Sequence, residues 1–351
     1  MISATARYSS RGLPVAMRDR TNTVRKVISM NRRVGWVGLV LCCLFFVAPN
    51  LGLGQAKKGA VKKQNSVTTW VNVPAAGSLP AGVSHRTYKS ESMGHDVGYC
   101  IYLPPGYESN PAQRYPVIYS LHGAGGDETK SLLAAEVLQE GIVAKRWPEM
   151  IIVFPNGGKT TLYKDSADGK SMAETTVIKE LIPHVDATYR TIAARHGRCI
   201  EGFSMGGRGS TKLALKYPEM FCSLFNQAGN VYHVTDFLES PLAEGYREYL
   251  GTDKQRYVDN DPYQLLKKNF DKIRGKLRIQ IFCGTQDDGH LPSIREFHAE
   301  LLKVGIDHTY FEIEGLAHER SKMINQYRSI WFDYHVESLR LAAADAGKTG
   351  K

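Results

Sequence analysis

A serine, an aspartate and a histidine follow one another along the chain in an order that could support acyl-transfer chemistry. Ser204 lies at the centre of a Gly-Phe-Ser-Met-Gly run at residues 202–206, and Asp287 and His318 come later. A serine hydroxyl attacks a carbonyl carbon only if a base accepts its proton and a third group steadies that base. These residue types therefore indicate a nucleophile, a base and a carboxylate that orients the base.

The backbone around Ser204 is predicted to change from strand to helix within a few residues. Residues 198–203 are an apolar run typical of a buried strand, and residues 207–217 have a helical pattern. A serine on such a turn has a strained backbone, and the flanking glycines avoid collisions with the strand and the helix. Its hydroxyl would project at the carboxyl-terminal edge of the sheet. A serine that only caps the helix is the alternative.

The aspartate and the histidine each follow a predicted strand. Asp287 comes four residues after the apolar run 278–283, and His318 comes after the run 309–313. The carboxyl ends of parallel strands meet at one edge, so both residues are expected beside Ser204. Asp288 is a neighbouring alternative to Asp287, which is favoured by its offset from the strand.

Two alternatives to this triad involve residues near Asp287: a different catalytic base and a metal site. His290 is the nearest alternative base, but it shares a loop with Asp287, so we expect that it does not approach the serine from the opposite side. Asp287, Asp288 and His290 also have the residue types of a metal site, but their spacing is unspecific. We expect no metal and no other cofactor.

A glycine-rich turn after an early strand could stabilise negative charge on a carbonyl oxygen. Residues 122–126 read His-Gly-Ala-Gly-Gly and follow a short apolar run. Backbone N–H groups in such a turn can donate to a developing oxyanion. We favour the amide of Ala124, with Gly123 second, and the amide of Met205 at the helix start as the partner donor. His122 is expected to bond neighbouring backbone.

Short apolar runs alternate with amphipathic segments from about residue 84 onward. This alternation predicts an α/β fold with a mostly parallel central sheet and helices on both faces. Residues 231–276 break the rhythm and are predicted to cap the edge of the sheet. Strands are predicted at 85–91, 96–103, 117–121, 150–154, 198–203, 223–227, 278–283 and 309–313, and helices at 131–140, 172–189, 207–217, 293–304 and 318–338.

The motifs taken together resemble the "putative esterase" family of α/β-hydrolases, which includes feruloyl and acetylxylan esterases, S-formylglutathione hydrolases, enterochelin esterases and mycolyltransferases. The resemblance implies the α/β-hydrolase fold, with Ser204 as nucleophile, His318 as general base and acid, and Asp287 as its orienting partner. It covers about residues 84–337 and rests on segments 97–107, 121–126, 163–166, 180–190, 202–207, 284–287 and 315–318.

Four residues are assigned to substrate binding: Tyr163, Asp165, Ser166 and Phe203. For the first three, ordering of their own loop is an equal alternative. Many family members have a tryptophan where this chain has Leu162, and many have a different residue at the position of Glu319. Both departures weaken an assignment of the acyl group and leave the triad unaffected.

The positive charge of the chain is concentrated near the N-terminus. Of the formal net charge of +10, residues 1–56 carry +7, with eight basic residues and one acid, which leaves +3 for the remainder. The body of the protein is therefore close to neutral. A surface that follows nucleic-acid phosphates is not indicated, and we expect no nucleic-acid partner.

The N-terminal segment has the parts of a secretory signal. An uncharged apolar run at 34–48 follows two arginines and precedes the small residues Gly-Gln-Ala at 54–56. The run is shorter than the ~20 residues of a membrane span, so an uncleaved anchor is the less favoured alternative. We expect a secreted or periplasmic protein without stable membrane association. The predicted segments are a leader at 1–56, a linker at 57–83, the α/β domain at 84–340 and a flexible tail at 341–351.

Four cysteines remain after the predicted leader: Cys100, Cys199, Cys222 and Cys283. Their spacing does not match a zinc site. An exported protein can form disulfides, and Cys199 and Cys283 are candidates for neighbouring strands. Because each cysteine lies in or beside an apolar run, buried thiols are the favoured interpretation.

The combined pattern predicts an exported serine carboxylesterase that acts through an acyl-enzyme. Export disfavours a cytosolic thioester substrate, so the resemblance points to esters on plant or algal polysaccharides, of the feruloyl or acetylxylan type. An acyltransferase or a serine peptidase could use the same residues. A non-catalytic carbohydrate-binding protein would tolerate loss of the triad, whereas all three members are present.

The predicted leader implies a start site for translation and a first residue for the exported chain. Translation is expected to start at Met30, since residues 30–33 already begin a compact signal, and the exported chain is expected to start at Lys57. N-terminal sequencing of an export-blocked precursor and of the exported protein measures both. A precursor that begins at Met1, or an exported chain that retains residues 34–48, would contradict them.

Overall fold

The computed structural model describes residues 6–7, 69–238, 247 and 249–349 of the chain. Within these residues the strands form one sheet in the order β1-β9-β8-β7-β6-β4-β5-β3-β2. The neighbours from β9 to β5 pair parallel, whereas β1, β2 and β3 pair antiparallel. The predicted mostly parallel sheet is confirmed. The strands are β1 Ala6–Arg7, β2 Val83–Ser90, β3 His95–Tyr102, β4 Val117–Leu121, β5 Ile151–Pro155, β6 Arg198–Phe203, β7 Ser223–Gln227, β8 Arg278–Gly284 and β9 His308–Ile313.

Helices cover the sheet between the strands. The α-helices are α1 Leu133–Val143, α2 Ala173–Thr175, α3 Ile182–Thr188, α4 Met205–Lys216, α5 Lys254–Val258, α6 Pro262–Lys268, α7 Phe270–Ile273, α8 Leu291–Lys303 and α9 Arg320–Thr349. A π-helical turn, Thr176–Leu181, joins α2 to α3, and α9 is kinked at Tyr327, where φ is −123°. Every residue of β4, β5 and β7 is buried, as expected for parallel strands covered on both faces.

The parallel pairing determines where functional side chains can meet. Strands β4, β6, β8 and β9 all run in the same direction, so the loops that follow them emerge at one edge of the sheet. Ligand and reaction sites of open α/β sheets lie at this carboxyl-terminal edge. The two glycine-containing turns at 122–126 and 202–206 lie on adjacent strands there.

The predicted linker is wrong for Trp70, Asn72 and Leu79, which contact the folded domain, whereas Val73 and residues 75–78 are exposed. Gly98 of β3 donates to the carbonyl oxygen of Trp70 at 2.7 Å, and Asn72 donates its backbone N–H to the buried carboxylate of Glu128 at 2.6 Å. Within the predicted tail, helix α9 continues to Thr349 and Ala342 is buried, whereas residues 343–348 are exposed.

The predicted cap over the edge of the sheet is wrong for the helices at 254–273, which pack on helix α4. Asn260 and Asn269 accept or donate hydrogen bonds to residues of α4: Lys212 donates to Asn260, and Asn269 donates to the carbonyl oxygen of Leu215. Helix α4 follows the central strand β6, so these helices lie over the middle of the fold. Periodicity identified the helices but could not identify their packing partner.

A two-residue strand near the N-terminus adds to the outer edge of the sheet. Ala6 and Arg7 pair antiparallel with Phe311 and Tyr310 of β9, a placement that the predicted leader did not anticipate. An edge strand has free N–H and C=O groups that an extended segment can satisfy. The rest of the predicted leader and the first part of the predicted linker, residues 1–5 and 8–68, lie outside the described residues. None of the helices in the described part of the chain combines the length and the apolar character that a membrane span requires.

The four cysteines are buried free thiols. The pairing of Cys199 with Cys283 is excluded by the strand order, because β7 lies between β6, which carries Cys199, and β8, which carries Cys283. The favoured interpretation of buried thiols holds, and burial raises the pKa of Cys199 well above its ordinary value.

The carboxylate of Glu128 is predicted to stabilise the fold by joining residues 69–72 to the sheet. It is fully buried and accepts from Asn72, from the Nδ2 of Asn156 at 2.8 Å and from His85 at 3.2 Å. In Glu128→Gln an amide N–H₂ would face these donors, so the free energy of unfolding should fall by about 2 kcal/mol. Denaturant unfolding measures it. The exposed Glu108→Gln is the control, and equal losses in the two variants would contradict the prediction.

Candidate active site

Ser204 lies on a strained turn between β6 and α4. Its φ of 57° and ψ of −119° are unusual for a residue with a side chain. A Cβ atom on Gly202 would come within 2.3 Å of the carbonyl carbon of Gly206, and one on Gly206 within 2.1 Å of the carbonyl oxygen of Leu121. Glycine is therefore required on both sides of the serine, and the helix can begin immediately after it.

The structure brings Ser204, His318 and Asp287 into one chain of hydrogen bonds. The Nε2 atom of His318 lies 2.8 Å from the Oγ of Ser204, and its Nδ1 lies 2.6 Å from the Oδ2 of Asp287. The carboxylate side chain is 3% exposed, whereas the imidazole is 32% exposed. A buried carboxylate can thus orient an imidazole that remains accessible to substrate. The rival Asp288 is exposed.

The loop carrying Asp287 is held against the loop carrying His318 by backbone contacts. Gln286 donates to the carbonyl oxygen of Leu316 at 3.0 Å, and Thr285 donates to that of Ile313 at 2.9 Å. A Cβ on Gly284 would lie 1.9 Å from the same Leu316 oxygen, so only glycine permits this approach. These contacts explain why the Gly-Thr-Gln-Asp and Gly-Leu-Ala-His segments meet.

The imidazole of His318 is flanked by two other rings. Phe203 lies 4.5 Å away, measured between ring centroids, and His290 lies 4.0 Å away with its plane within 5° of parallel. His290 also places its Nδ1 2.7 Å from the Oδ1 of Asp287. The sequence offered His290 as an alternative base and as part of a candidate metal site, but not as a second partner of Asp287. Its spacing of three residues from Asp287, across the start of a helix, was the signal that could have identified this contact.

The loop after β4 lies beside the nucleophile. A Cβ on Gly123 would come within 3.6 Å of the Cβ of Ser204. Among the hydrogen bonds of the described residues, none is donated by the backbone amide of Ala124 or of Met205. The amide of Met205 belongs to the first turn of α4, where N–H groups have no partner within the helix. Both amides therefore lack a protein acceptor among the described residues.

His122 connects the glycine-rich loop at 122–126 to neighbouring backbone through two hydrogen bonds. Its Nε2 accepts from the amide of Gly157 at 3.0 Å, so its Nδ1 carries the hydrogen and donates to the carbonyl oxygen of Gly123 at 2.9 Å. Burial lowers the pKa of His122 to about 4, and the ring therefore stays neutral in ordinary buffers. The expected bonds to neighbouring backbone are present.

Three of the four residues assigned to substrate binding face the interior or their own loop. Tyr163 is fully buried, and its hydroxyl donates to the carbonyl oxygen of His122 at 3.2 Å. Asp165 accepts from the amides of Glu174 and Thr175 at the start of α2. Ser166 donates to Asp168 at 2.7 Å. These residues order the loop beneath the glycine-rich turn, whereas Phe203 is partly exposed beside His318.

Asp287, His290 and His318 are the group in the described residues whose donor atoms, within 4.8 Å of one another, have the chemistry of a metal site. Each carboxylate oxygen already lies within hydrogen-bond distance of an imidazole nitrogen. The Nδ1 atoms that would bind a metal are directed at the carboxylate as N–H donors. The geometry therefore favours a hydrogen-bonded triad over metal binding.

Comparison with known proteins gives a matching family and several esterase relatives. The family model described as "Putative esterase" matches residues 90–321. The esterase Rv1288 of Mycobacterium tuberculosis is 30% identical over 257 residues, which cover 65% of this chain and 54% of the relative. An endo-1,4-beta-xylanase/feruloyl esterase of Xylanibacter ruminicola is 33% identical over 172 residues, which cover 47% of this chain and 24% of the relative.

The chain thus spans about half the length of the first curated relative that it matches, and less of the second. A solved structure of a ferulic acid esterase superposes with a TM-score of 0.61 and 23% identity, over 73% of this chain and 98% of that one. This likeness shows that the two proteins share a fold.

The lowered pKa of the buried His122 predicts how the free energy of unfolding depends on pH. Its pKa is about 4 in the folded chain and 6.5 when unperturbed, so below pH 6.5 the unfolded chain binds a proton that the folded chain does not. The stabilisation is complete above pH 6.5 and is lost as the pH falls to 4, by up to about 3 kcal/mol. Denaturant unfolding between these pH values should show a weaker pH dependence in His122→Gln than in the wild type. Equal slopes would contradict the prediction.

Proposed function

The chain belongs to the "Putative esterase" family of α/β-hydrolases, and from this premise we propose that it is an exported serine carboxylesterase acting on carbohydrate-linked esters. The observation that carries the proposal is the hydrogen-bonded series from Ser204 through His318 to Asp287, with distances of 2.8 and 2.6 Å. This is the geometry required to activate a serine hydroxyl.

In the first step Ser204 attacks the ester carbonyl carbon. Its hydroxyl proton passes to the Nε2 of His318, which becomes an imidazolium, and the carboxylate of Asp287 stabilises that charge through the Nδ1 hydrogen bond. Because the carboxylate is buried, its attraction for the imidazolium is weakly screened.

The negative charge that develops on the carbonyl oxygen is received by backbone amides. Ala124 and Met205 are the proposed donors, with Gly123 as the second choice on the loop, and the positive end of the α4 dipole adds to their effect. Helix α4 begins at Met205, directly after Ser204, so its first N–H groups lie next to the nucleophile in the chain. Loss of one such donor typically lowers turnover by ~10²–10³.

The imidazolium of His318 then protonates the leaving alcohol oxygen, and an acyl group remains on Ser204. Water, deprotonated by the same imidazole, attacks the carbonyl carbon of the acyl-enzyme. The imidazolium then returns this proton to the departing Oγ of Ser204, which releases the acid and restores the free enzyme. Since the imidazole is partly exposed, both the alcohol and the water can reach it. The cycle uses one base throughout and no cofactor.

Three features support an external, carbohydrate-linked ester as the substrate. Residues 30–56 have the parts of a secretory signal, and the relative from Xylanibacter ruminicola is named as an endo-1,4-beta-xylanase/feruloyl esterase. The partly exposed ring of Phe203 beside His318 offers an apolar surface for an acyl group. Feruloyl or acetyl esters of plant-type polysaccharides are therefore the proposed substrates.

The proposal predicts hydrolysis of p-nitrophenyl acetate and methyl ferulate by the purified protein. Ser204→Ala should lower kcat by roughly 10⁴-fold or more, because the hydroxyl that forms the acyl-enzyme is lost. Release of p-nitrophenol and of ferulate measures the two activities. Ser210→Ala is a matched control, since Ser210 lies in the same helix and donates to the carbonyl oxygen of Gly207. Equal activity of Ser204→Ala and the wild type would remove the serine-hydrolase assignment.

A further inference from the structure

The carboxylate of Asp287 is bonded to two imidazoles, and the esterase mechanism accounts for only one of them. Its Oδ2 is 2.6 Å from the Nδ1 of His318, and its Oδ1 is 2.7 Å from the Nδ1 of His290. The carboxylate side chain is 3% exposed, so neither oxygen depends on water for a partner. A carboxylate bonded at both oxygens is restricted in rotation about its side-chain bonds.

His290 also touches the catalytic imidazole directly. The two rings stack at 4.0 Å between centroids and 5° between planes, while Phe203 lies 4.5 Å from the same His318 ring at 30°. If Phe203 and His290 lay on the same face of the His318 ring at these centroid distances, the two rings would overlap. They therefore lie on opposite faces of His318. The ring of His318 is therefore confined from both sides, with one edge left to meet Ser204 and another to meet Asp287.

The backbone places His290 firmly. Its N–H donates to the carbonyl oxygen of Asp287 at 3.1 Å, and its own carbonyl oxygen accepts from Ile294 at 3.2 Å and from the hydroxyl of Ser293 at 3.0 Å. It directly precedes helix α8, Leu291–Lys303. The backbone of His290 is thus fixed at the start of helix α8. From this position its imidazole can restrain the carboxylate of Asp287.

We propose that His290 is a positioning residue of the esterase site, which holds the carboxylate of Asp287 and the ring plane of His318 in the orientation that proton transfer from Ser204 requires. The inference rests on the proposed esterase function. It assigns to His290 no contact with substrate and no proton transfer. Its effect is exerted through the hydrogen bond to Asp287 and through the stacking on His318.

The charges around His290 suit this role. Burial lowers its pKa, the hydrogen bond and charge of Asp287 oppose that effect, and the nearby His318 and Arg208 of α4 lower the pKa further. A neutral His290 donates its Nδ1 hydrogen to Asp287 without placing a second positive charge against the imidazolium that His318 forms during the reaction.

Two variants separate the hydrogen bond from the stacking. His290→Phe keeps a ring against His318 and removes the N–H donor, whereas His290→Asn keeps an amide donor near the Nδ1 position and removes the ring. In His290→Phe we expect kcat for p-nitrophenyl acetate to fall by about tenfold with little change in KM, as for loss of a hydrogen bond to a charged group. The acid limb of the kcat/KM profile should move to higher pH, because a carboxylate with one donor fewer holds the His318 proton more strongly. His290→Asn should retain the wild-type acid limb.

His298→Phe is the matched control. His298 lies on the same helix α8, stacks on Tyr310 at 4.1 Å and lies within hydrogen-bond distance of His308, at 2.7 Å, with no contact to Asp287 or His318 among those described. This variant should leave kcat, KM and the acid limb unchanged. Thermal unfolding of all three variants shows whether any loss of activity arises from loss of folded protein.

A titration of the histidine resonances by nuclear magnetic resonance separates this inference from the esterase assignment. It reports the pKa of His318 without any substrate, with the resonances identified by their loss in His318→Gln. An upward shift of that pKa in His290→Phe supports the positioning role even if no ester is hydrolysed. The inference is overturned if the His318 titration and the acid limb of His290→Phe both coincide with those of the wild type, since a merely structural role would change stability alone.

Discussion

The close approach between the start of helix α4 and the carbonyl oxygen of Leu121 is the constraint on which the site depends. Only a glycine at 206 allows it, since a Cβ there would lie 2.1 Å from that oxygen. The approach places Ser204 at a φ of 57°, and such a conformation costs about 1–3 kcal/mol. Helix α4 is buried from Met205 to Leu215, and this packing offsets the strain. The same part of the sheet edge places Gly123 of the glycine-rich loop beside Ser204, since a Cβ on Gly123 would lie 3.6 Å from that of the serine.

The buried carboxylate of Glu201 stabilises the strand that leads into this turn. Glu201 lies on β6 just before the turn and is 1% exposed. It accepts from Ser120 of β4 at 2.8 Å, from His335 of α9 at 3.1 Å and from the indole N–H of Trp331. A buried charge is tolerated only when donors surround it. Glu128 and Asp287 follow the same rule. The donors to Glu128 are distant in sequence, whereas Asp287 accepts from the distant His318 and from His290, three residues away.

The strands could be predicted closely because burial on both faces leaves a continuous apolar run. The observed bounds coincide with the predicted ones at 117–121, 198–203 and 223–227. Prediction failed where a segment's partner, and not its own pattern, determines its structure. Residues 69–82 look like a linker until Glu128 and Gly98 bind them, and the segment 231–276 shows helical periodicity without showing that it packs on α4. The supposed neighbours Cys199 and Cys283 are separated by a strand whose position in the sheet depends on all the others.

The residue types of the site and their order along the chain follow from the primary structure, because turn glycines and apolar strands are dictated by short-range sterics and by burial period. The contacts among those residues do not follow from it. Ser204 and His318 are 114 residues apart, and their meeting depends on the order of the strands. The burial of Tyr163 and the sharing of Asp287 by His290 and His318 depend further on side-chain rotamers. Rotamers are selected by packing from neighbours that no local pattern names, and so they emerge only when the whole chain is folded.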